Sequence, residues 1–378
     1  MRYYLIAGER SGDLHGGNLI RSIRQHDPHF VGRGFGGNDM RDAGMELTMH
    51  YDQLAFMGFT AVLANLTRIK AIMKQCKDDI LAFKPDVVVL IDYGGFNMRI
   101  AKFAKEQGIK VFFYISPKVW AWNTKRAWKL KTSVDRMFCI LPFEKDFYKK
   151  FDWNVDYVGN PVLDAVKKFK PDPEFLSKNG LTKEKKIVAL LPGSRKMELK
   201  RVVPILADVA KTNPDLQFVV GAVKTLPKEL YQPFENIPNV KFVFESTYDL
   251  LSNATAALVT SGTATLETAL FKVPESLMYK TTMLEEAIVR SLVKIEWLGL
   301  VNLILNRNSV RELYQANMTV KKVSEELKRL VEDKDYRRRL LADYDELYKI
   351  LDIGSASENA GRLMVQYLAT DSPQRTTR

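Results

Sequence analysis

Short runs of apolar, mostly β-branched or aromatic residues alternate with amphipathic segments along this chain. In the first half, the runs that predict strands are Tyr3–Ala7, Asp86–Ile91, Lys110–Ile115, Arg136–Leu141 and Asp156–Val158. Helical patterns lie between them at Asn18–Gln25, Leu63–Phe83 and Met98–Gln107. Because parallel strands are joined through helices, this alternation predicts an α/β fold with a parallel sheet covered on both faces.

A second alternating series follows a charged, proline-broken segment at Lys167–Pro173. Its predicted strands are Lys186–Leu191, Leu216–Val220, Val240–Phe244, Ala256–Thr260 and Leu277–Tyr279. We therefore predict two Rossmann-like, doubly wound domains, residues 1–165 and 166–345, facing a cleft at the carboxyl ends of both sheets. Residues 346–378 are expected to form a C-terminal helix and tail that can pack back on the N-terminal domain.

Composition limits the class of protein. The chain has 378 residues, 46% of them hydrophobic, which is enough for two cores. The net charge of +12 favours anionic binding partners: nucleic acid, an anionic membrane surface or phosphorylated substrates. Cys76 and Cys139 are the only cysteines, and the N-terminus carries no secretory pattern, so we expect a cytoplasmic protein.

Motifs for metals and common nucleotide folds are missing. The four histidines lie early in the chain without metal-ligand spacing, and the acidic pair Asp343 and Asp345 falls in a charged helical segment. The glycine-rich loop Ala7–Gly17 does not match the G-x-G-x-x-G dinucleotide fingerprint, and the chain has no Walker lysine motif. We predict no metal site.

Two loops in the second half suit an anionic ligand. The stretch Val259–Leu270 predicts a strand, a turn through Ser261 and Gly262, and a helix that opens at Thr263. Such an opening presents unpaired N–H groups and the positive end of the helix dipole, and Glu267 one turn later could bind a ribose diol. The other loop, Gly193-Ser194-Arg195, ends a strand and presents a guanidinium that matches phosphate oxygens.

The first half offers acids at the ends of strands. Glu9 and Asp13 lie in a glycine-rich loop that could admit a ligand, although Asp13 could equally cap the helix. Asp92 follows the apolar run VVVLI, where partial burial would raise its pKa and make it a better base. The alternative is that Asp92 caps the following helix or holds the loop by backbone hydrogen bonds.

Aromatic residues interleaved with basic ones follow the third of these strands. Trp120, Trp122 and Trp128 lie among five lysine and arginine residues, a pattern that suits nucleobase stacking, a membrane interface or a packed cluster. An uncharged stretch that includes Phe56, Met57 and Phe59 precedes further basic residues, which fits either an interfacial element or a buried helix.

Taken together, AGERSGD, IDYGGFN, SPKVWAW, LLPGSR and SGTATLE resemble the motifs of the lipid-A-disaccharide synthase family, in the expected order over nearly the whole chain. The resemblance implies a GT-B glycosyltransferase. Its substrates would be UDP-2,3-diacylglucosamine and lipid X, the diacylglucosamine 1-phosphate, and its products the β-linked lipid A disaccharide 1-phosphate and UDP. It also implies peripheral contact with the cytoplasmic surface of the inner membrane, metal-independent chemistry and no nucleic acid partner.

The resemblance gives the loops roles. Asp92 would be the base, with Glu9 and Asp13 in reserve. The groups on UDP would be Gly193, Ser194, Arg195, Ser261, Gly262, Thr263, Glu267 and Asn302. Phe56, Met57, Phe59, Trp120 and Trp122 would contact the acceptor or the membrane. Gly94 and Gly95 stand where the family commonly has Pro-Asp, so a paired-acid mechanism loses its second carboxylate.

Three questions stay open at this stage. Another GT-B enzyme that acts on a UDP-sugar, such as a UDP-N-acetylglucosamine epimerase, would share the UDP half. A non-enzymatic nucleic-acid binder would use the Trp-rich segment and ignore Asp92. The sequence does not decide between a monomer and a homodimer.

Overall fold

The computed structural model describes residues 1–54, 66–281 and 296–370 of the chain. Its described residues fall into two compact units. The first contains residues 1–161 and 352–370, and the second contains residues 162–351.

The first unit is built on a sheet of seven parallel strands. They are β1 (Arg2–Ala7), β2 (Val31–Gly36), β3 (Met45–His50), β4 (Val87–Ile91), β5 (Lys110–Tyr114), β6 (Arg136–Cys139) and β7 (Asp156–Tyr157). Their spatial order is β3-β2-β1-β4-β5-β6-β7. The order reverses between β1 and β4, which is the point where ligands usually bind in open α/β sheets.

Helices cover this sheet. They are α1 (Arg10–His26), α2 (Asn38–Asp42), α3 (Leu66–Phe83), α4 (Gly94–Glu106), α5 (Val119–Trp122), α6 (Arg126–Ser133) and α7 (Phe143–Lys149), and the next helix, α8 (Pro161–Lys168), begins the second unit. Two apolar clusters form, one on each face of the sheet.

The second unit repeats the plan. Its strands are β8 (Ile187–Leu191), β9 (Gln217–Ala222), β10 (Val240–Phe244), β11 (Ala256–Thr260), β12 (Glu275–Tyr279) and β13 (Glu312–Tyr314). All pair in parallel, in the order β10-β9-β8-β11-β12-β13, so the reversal falls between β8 and β11.

The helices of the second unit are α9 (Phe175–Lys178), α10 (Lys196–Lys211), α11 (Thr247–Asn253), α12 (Thr263–Leu270), α13 (Leu300–Leu305), α14 (Val320–Glu332) and α15 (Lys334–Leu351). A last helix, α16 (Ala356–Thr370), belongs to the first unit. It lies so close to α1 that a Cβ on Gly361 would come within 2.3 Å of the Ser22 hydroxyl oxygen. Its Ala360, Met364 and Leu368 are part of the first unit's core.

The ten strands expected from the apolar runs are all present, with ends that differ by at most two residues. Three strands were missed: β2, β3 and β13. In β2 every second residue from Gly32 is glycine, which by propensity argues against a strand. A Cβ at Gly34 would lie 2.0 Å from the backbone oxygen of Leu5 in β1, so packing, not propensity, selects the residue.

Candidate active site

Acidic residues meet where the first sheet reverses its strand order. In the pairing of β1 with β4, Ala7 lies opposite Ile91. Glu9 and Asp92 therefore leave the sheet side by side at its carboxyl edge. The negative charge of Glu9 raises the pKa of Asp92, because a nearby anion disfavours the ionised carboxylate.

Asp92 is held in a strained backbone conformation. Its φ is 45° and that of Tyr93 is 49°, so two consecutive residues with side chains lie in the left-handed region, where such residues are uncommon. The buried amide of Asn97 stabilises this turn by donating to the backbone oxygens of Ile91 at 3.2 Å and Asp92 at 2.8 Å. The N–H of Asp92 donates to the oxygen of Tyr114 at 3.0 Å.

The Asp92 carboxylate is available for chemistry. Tyr93 is the N-cap of α4 and no side-chain cap bond forms there, so Asp92 does not cap this helix, although its carboxylate accepts the backbone N–H of Tyr93, which lowers its pKa. Burial raises the pKa of Asp92, the nearby Glu9 raises it further, and Lys118 opposes the rise. A carboxylate with a raised pKa is a better proton acceptor than an exposed one.

Asp13 has a structural task. It is 2% exposed, and its carboxylate accepts backbone N–H groups from Gly37 at 2.7 Å, Asp39 at 3.1 Å and Met40 at 3.1 Å. These groups form the N-terminus of α2, so Asp13 caps a neighbouring helix and not its own. Its place among the catalytic candidates is thereby corrected. Glu9 remains at the N-cap position of α1, half-buried, without a side-chain cap bond.

The glycines of the first loop also serve packing. A Cβ on Gly8 would come within 2.3 Å of the Tyr93 ring, and one on Gly16 within 2.6 Å of the Met40 sulfur. A Cβ on Gly17 would lie 2.7 Å from the backbone oxygen of Asp39. These spaces are filled by protein, so packing by itself accounts for glycine at these three positions.

The segment after β5 is anchored through a buried polar cluster. The hydroxyls of Ser116 and Tyr148 lie 2.6 Å apart, and the indole N–H of Trp120 donates to Glu144 at 3.1 Å. Burial raises the pKa of Glu144 to about 7. Trp120 is 9% exposed, so its predicted contact with a membrane or acceptor is corrected: its ring packs inside the first unit.

The other tryptophans of this segment face solvent. Trp122 is 43% exposed and Trp128 is 50% exposed. The guanidinium carbon of Arg126 lies 4.3 Å from the centre of the Trp122 ring, and the Lys131 ammonium 5.5 Å from that of Trp128. Phe56, Met57 and Phe59, predicted to be interfacial, lie outside the described residues.

In the second unit, the loop Gly193-Ser194-Arg195 follows β8 at the reversal point. Gly193 has a φ of 107°, and a Cβ there would lie 2.4 Å from the Glu198 carboxylate. Glu198 accepts the backbone N–H groups of Ser194 and Arg195, each at 3.2 Å. These two backbone N–H groups are therefore already occupied within the loop. The Arg195 side chain, 74% exposed, bonds Glu198 at 2.9 Å in a contact that solvent weakens.

The neighbouring strand β11 leads into the open N-terminus of α12. Gly262 and Thr263 are exposed, and a Cβ on Gly262 would meet nothing within 4 Å. Ser261 is half-buried, and its hydroxyl donates to the backbone oxygen of Leu298 at 3.4 Å. Because the first N–H groups of a helix have no intrahelical acceptor, this end can bind an anion.

Glu267 lies one turn into α12, where Tyr248 holds it. The tyrosine hydroxyl donates to one carboxylate oxygen at 2.8 Å, which leaves the other oxygen for a ligand. Burial raises the pKa of Glu267, and the tyrosine hydrogen bond opposes the rise. Sequence reasoning missed Tyr248, since nothing in TYDLL marks it as a partner of a residue on another helix.

Asn302 is fully occupied by its own unit. It is 1% exposed; its amide nitrogen donates to Val310 and Glu312, and its amide oxygen accepts from the N–H groups of Ser309 and Val310. No hydrogen-bonding group is left for a nucleotide, so its predicted direct contact with UDP is corrected. Glu312 in turn accepts the N–H groups of Leu298 and Gly299 ahead of α13.

The described residues contain neither a metal-binding cluster nor a membrane-spanning helix. Across residues 1–54, 66–281 and 296–370, no three His, Cys, Asp or Glu side chains are grouped to hold a metal ion. Over the same ranges, no helix has the length and apolar character needed to cross a bilayer.

The role of Asp13 can be tested by substitution. Asp13→Ala should lower the free energy of unfolding by about 3 kcal/mol or more, because three buried N–H groups lose a charged acceptor. Asp13→Asn keeps one acceptor oxygen, so its free energy of unfolding should fall by less. The folded Asp13→Asn protein should keep its turnover. Urea unfolding and specific activity measure both effects. A stable Asp13→Asn variant that loses activity by about 100-fold or more would return Asp13 to the catalytic set.

Comparison with known proteins gives a consistent result. The family model for lipid-A-disaccharide synthetase matches residues 3–361. The lipid-A-disaccharide synthase of Syntrophus aciditrophicus is 36% identical, over 94% of this chain and 95% of that protein. The one from Geobacter metallireducens is 34% identical over 97% of both chains.

Solved structures agree on the fold. The UDP-GlcNAc 2-epimerase of Neisseria meningitidis, bound to UDP-GlcNAc, superposes with a TM-score of 0.67 at 15% identity and covers 98% of this chain and 100% of that one. The calicheamicin glycosyltransferase CalG4 has a TM-score of 0.64 at 14% identity, with 98% and 99% covered. At these identities the likeness concerns fold alone, and it confirms the predicted GT-B class.

The epimerase alternative thus has only a distant structural likeness in its favour, whereas the family model and the relatives agree with each other along nearly the whole chain. The chain belongs to the lipid-A-disaccharide synthase family.

Proposed function

We propose that this protein transfers 2,3-diacylglucosamine from UDP-2,3-diacylglucosamine to a hydroxyl group of lipid X. The products are the β-linked lipid A disaccharide 1-phosphate and UDP. The observation that carries the proposal is the position of the Asp92 carboxylate at the point where the first sheet reverses its strand order. Its pKa is raised and it does not cap the following helix.

Asp92 acts as the general base. A β product from an α-linked donor requires displacement with inversion, so the acceptor hydroxyl must lose its proton as it attacks. A positioned carboxylate contributes about 10²- to 10⁴-fold to such a step. The charge of Glu9 raises the pKa of Asp92, so Glu9 tunes the base and lines the acceptor side.

The second unit binds the leaving group. The open N-terminus of α12 at Ser261, Gly262 and Thr263 supplies backbone donors and the positive helix end for the diphosphate. Arg195 exchanges its exposed bond to Glu198 for a phosphate oxygen, which offers two acceptors to a guanidinium. The free oxygen of Glu267 accepts a ribose hydroxyl.

These positive groups take the part that a metal ion plays in other transferases, so the reaction is metal-independent. Charge that develops on UDP as it departs is stabilised by fixed donors, which need no reorganisation during the reaction.

The test is UDP release in the presence of EDTA. Wild-type protein should release UDP only when UDP-2,3-diacylglucosamine and lipid X are both present. Asp92→Asn should lower the rate by about 10²- to 10⁴-fold while circular dichroism shows an unchanged fold. UDP release that does not depend on lipid X would contradict the transfer reaction. Near-normal turnover of Asp92→Asn would show that Asp92 is not the base. Loss of activity with EDTA would contradict metal independence.

The substrates carry acyl chains, so the protein works at the cytoplasmic surface of the inner membrane. Residues 116–134 contain three tryptophans and five basic residues but no acid. We assign the contact to the exposed rings of Trp122 and Trp128 with the cations stacked on them. Aromatic rings favour the headgroup level, and lysine and arginine are attracted to anionic lipid. A homodimer stays a prediction.

Vesicle flotation tests this surface. The wild type should float with vesicles that contain anionic phosphatidylglycerol and much less with phosphatidylcholine alone. Trp122→Ser combined with Trp128→Ser should reduce flotation severalfold, while Phe244→Ser, at an exposed ring of the second unit, should not. Equal flotation of the double variant and wild type would place the contact elsewhere.

A further inference from the structure

A lysine lies beside the Asp92 loop and has no role in the proposed mechanism. Lys118 is exposed and follows β5, the strand next to β4 in the first sheet. The loop that carries it touches the Asp92 loop: a Cβ on Gly94 would come within 2.9 Å of the Pro117 Cβ. The charge of Lys118 also reaches Asp92, because it opposes the rise in the pKa of that carboxyl.

The backbone on both sides of Lys118 is fixed. Two residues earlier, Ser116 shares a 2.6 Å hydrogen bond with the buried Tyr148. Two residues later, Trp120 donates to the buried Glu144, whose other oxygen accepts the N–H of Leu141 at 3.0 Å. Lys118 is thus an exposed cation presented from a rigid base, which is the arrangement expected of a binding residue rather than of a solvated side chain.

Lys118 is also available. Two other lysines of the first unit are engaged: Lys105 pairs with Asp135, and Lys131 donates to the backbone oxygen of Phe151 at 2.9 Å. Within residues 1–54, 66–281 and 296–370, Lys118 has neither a hydrogen bond nor an ion pair with a side chain at contact distance. The acids at this edge, Glu9 and Asp92, would repel an anionic substrate unless a cation compensates them.

We propose that Lys118 binds the phosphate of the acceptor and thereby places the acceptor hydroxyl against Asp92. This inference rests on the proposed function, since the acceptor it requires carries a sugar phosphate. The ammonium group binds phosphate oxygens by charge-assisted hydrogen bonds, and no covalent step is involved. The donor diphosphate has its own groups in the second unit, so each anionic substrate has a separate cationic partner.

An acceptor without phosphate provides the test. Steady-state kcat and KM are measured with lipid X and with 2,3-diacylglucosamine as its neutral 1-O-methyl glycoside, for wild type, Lys118→Met, Lys118→Arg and the control Lys149→Met. For lipid X, Lys118→Met should raise KM by about 10- to 100-fold with a smaller change in kcat. With the neutral acceptor it should leave KM unchanged. Lys118→Arg should restore most of the affinity, and Lys149→Met should match the wild type.

Two results overturn the proposal. An equal loss with both acceptors means that Lys118 serves Asp92 and not the phosphate, and no loss with either means that it binds neither. Titration calorimetry of lipid X against the neutral acceptor, without donor, separates this subsite from the reaction. If the wild type releases no UDP but binds lipid X more tightly than the neutral acceptor, and Lys118→Met abolishes that preference, the phosphate subsite is supported and the proposed function is contradicted.

Discussion

The turn at the end of β4 is the constraint on which the first unit's site depends. Asp92 and Tyr93 both lie in the left-handed region, a conformation that costs on the order of 1–3 kcal/mol for each residue. The side-chain amide of Asn97 offsets this cost by donating hydrogen bonds to the backbone oxygens of Ile91 and Asp92. Tyr93 adds a hydrogen bond to the backbone oxygen of Leu54 at 3.0 Å, and its ring packs over Gly8. These contacts therefore hold the turn that carries Asp92 in its left-handed conformation.

The two units use one topology for two purposes. Each has the strand order that reverses between its first and fourth strands, and in each the loops after those strands carry the candidate chemistry. The first unit presents carboxylates there, whereas the second presents a guanidinium and a helix N-terminus. A transfer reaction needs both kinds of group, since one partner loses a proton and the other gains negative charge.

Much of this could be predicted from local sequence. Apolar runs such as VVVLI and the turn SGT predict the strands, their ends and the helix opening that is the candidate anion site, because period and turn chemistry are local properties. Residues whose partners are distant in sequence were assigned wrongly. Asp13 caps a helix that begins 25 residues later, Trp120 binds Glu144, and Asn302 binds the strand that follows it. A polar residue that satisfies buried backbone looks, in sequence, the same as one that awaits a ligand.

The central claim is that Asp92 is the base and that Glu9 tunes it, and the pH dependence of kcat/KM tests this directly. The base must be ionised, so kcat/KM should fall as the pH falls through a midpoint above 3.8, the ordinary value for an aspartate. Glu9→Gln removes a charge that raises the pKa of Asp92, so it should move that midpoint to lower pH and preserve turnover. A midpoint that does not move, or a Glu9→Gln variant without activity, would contradict the account.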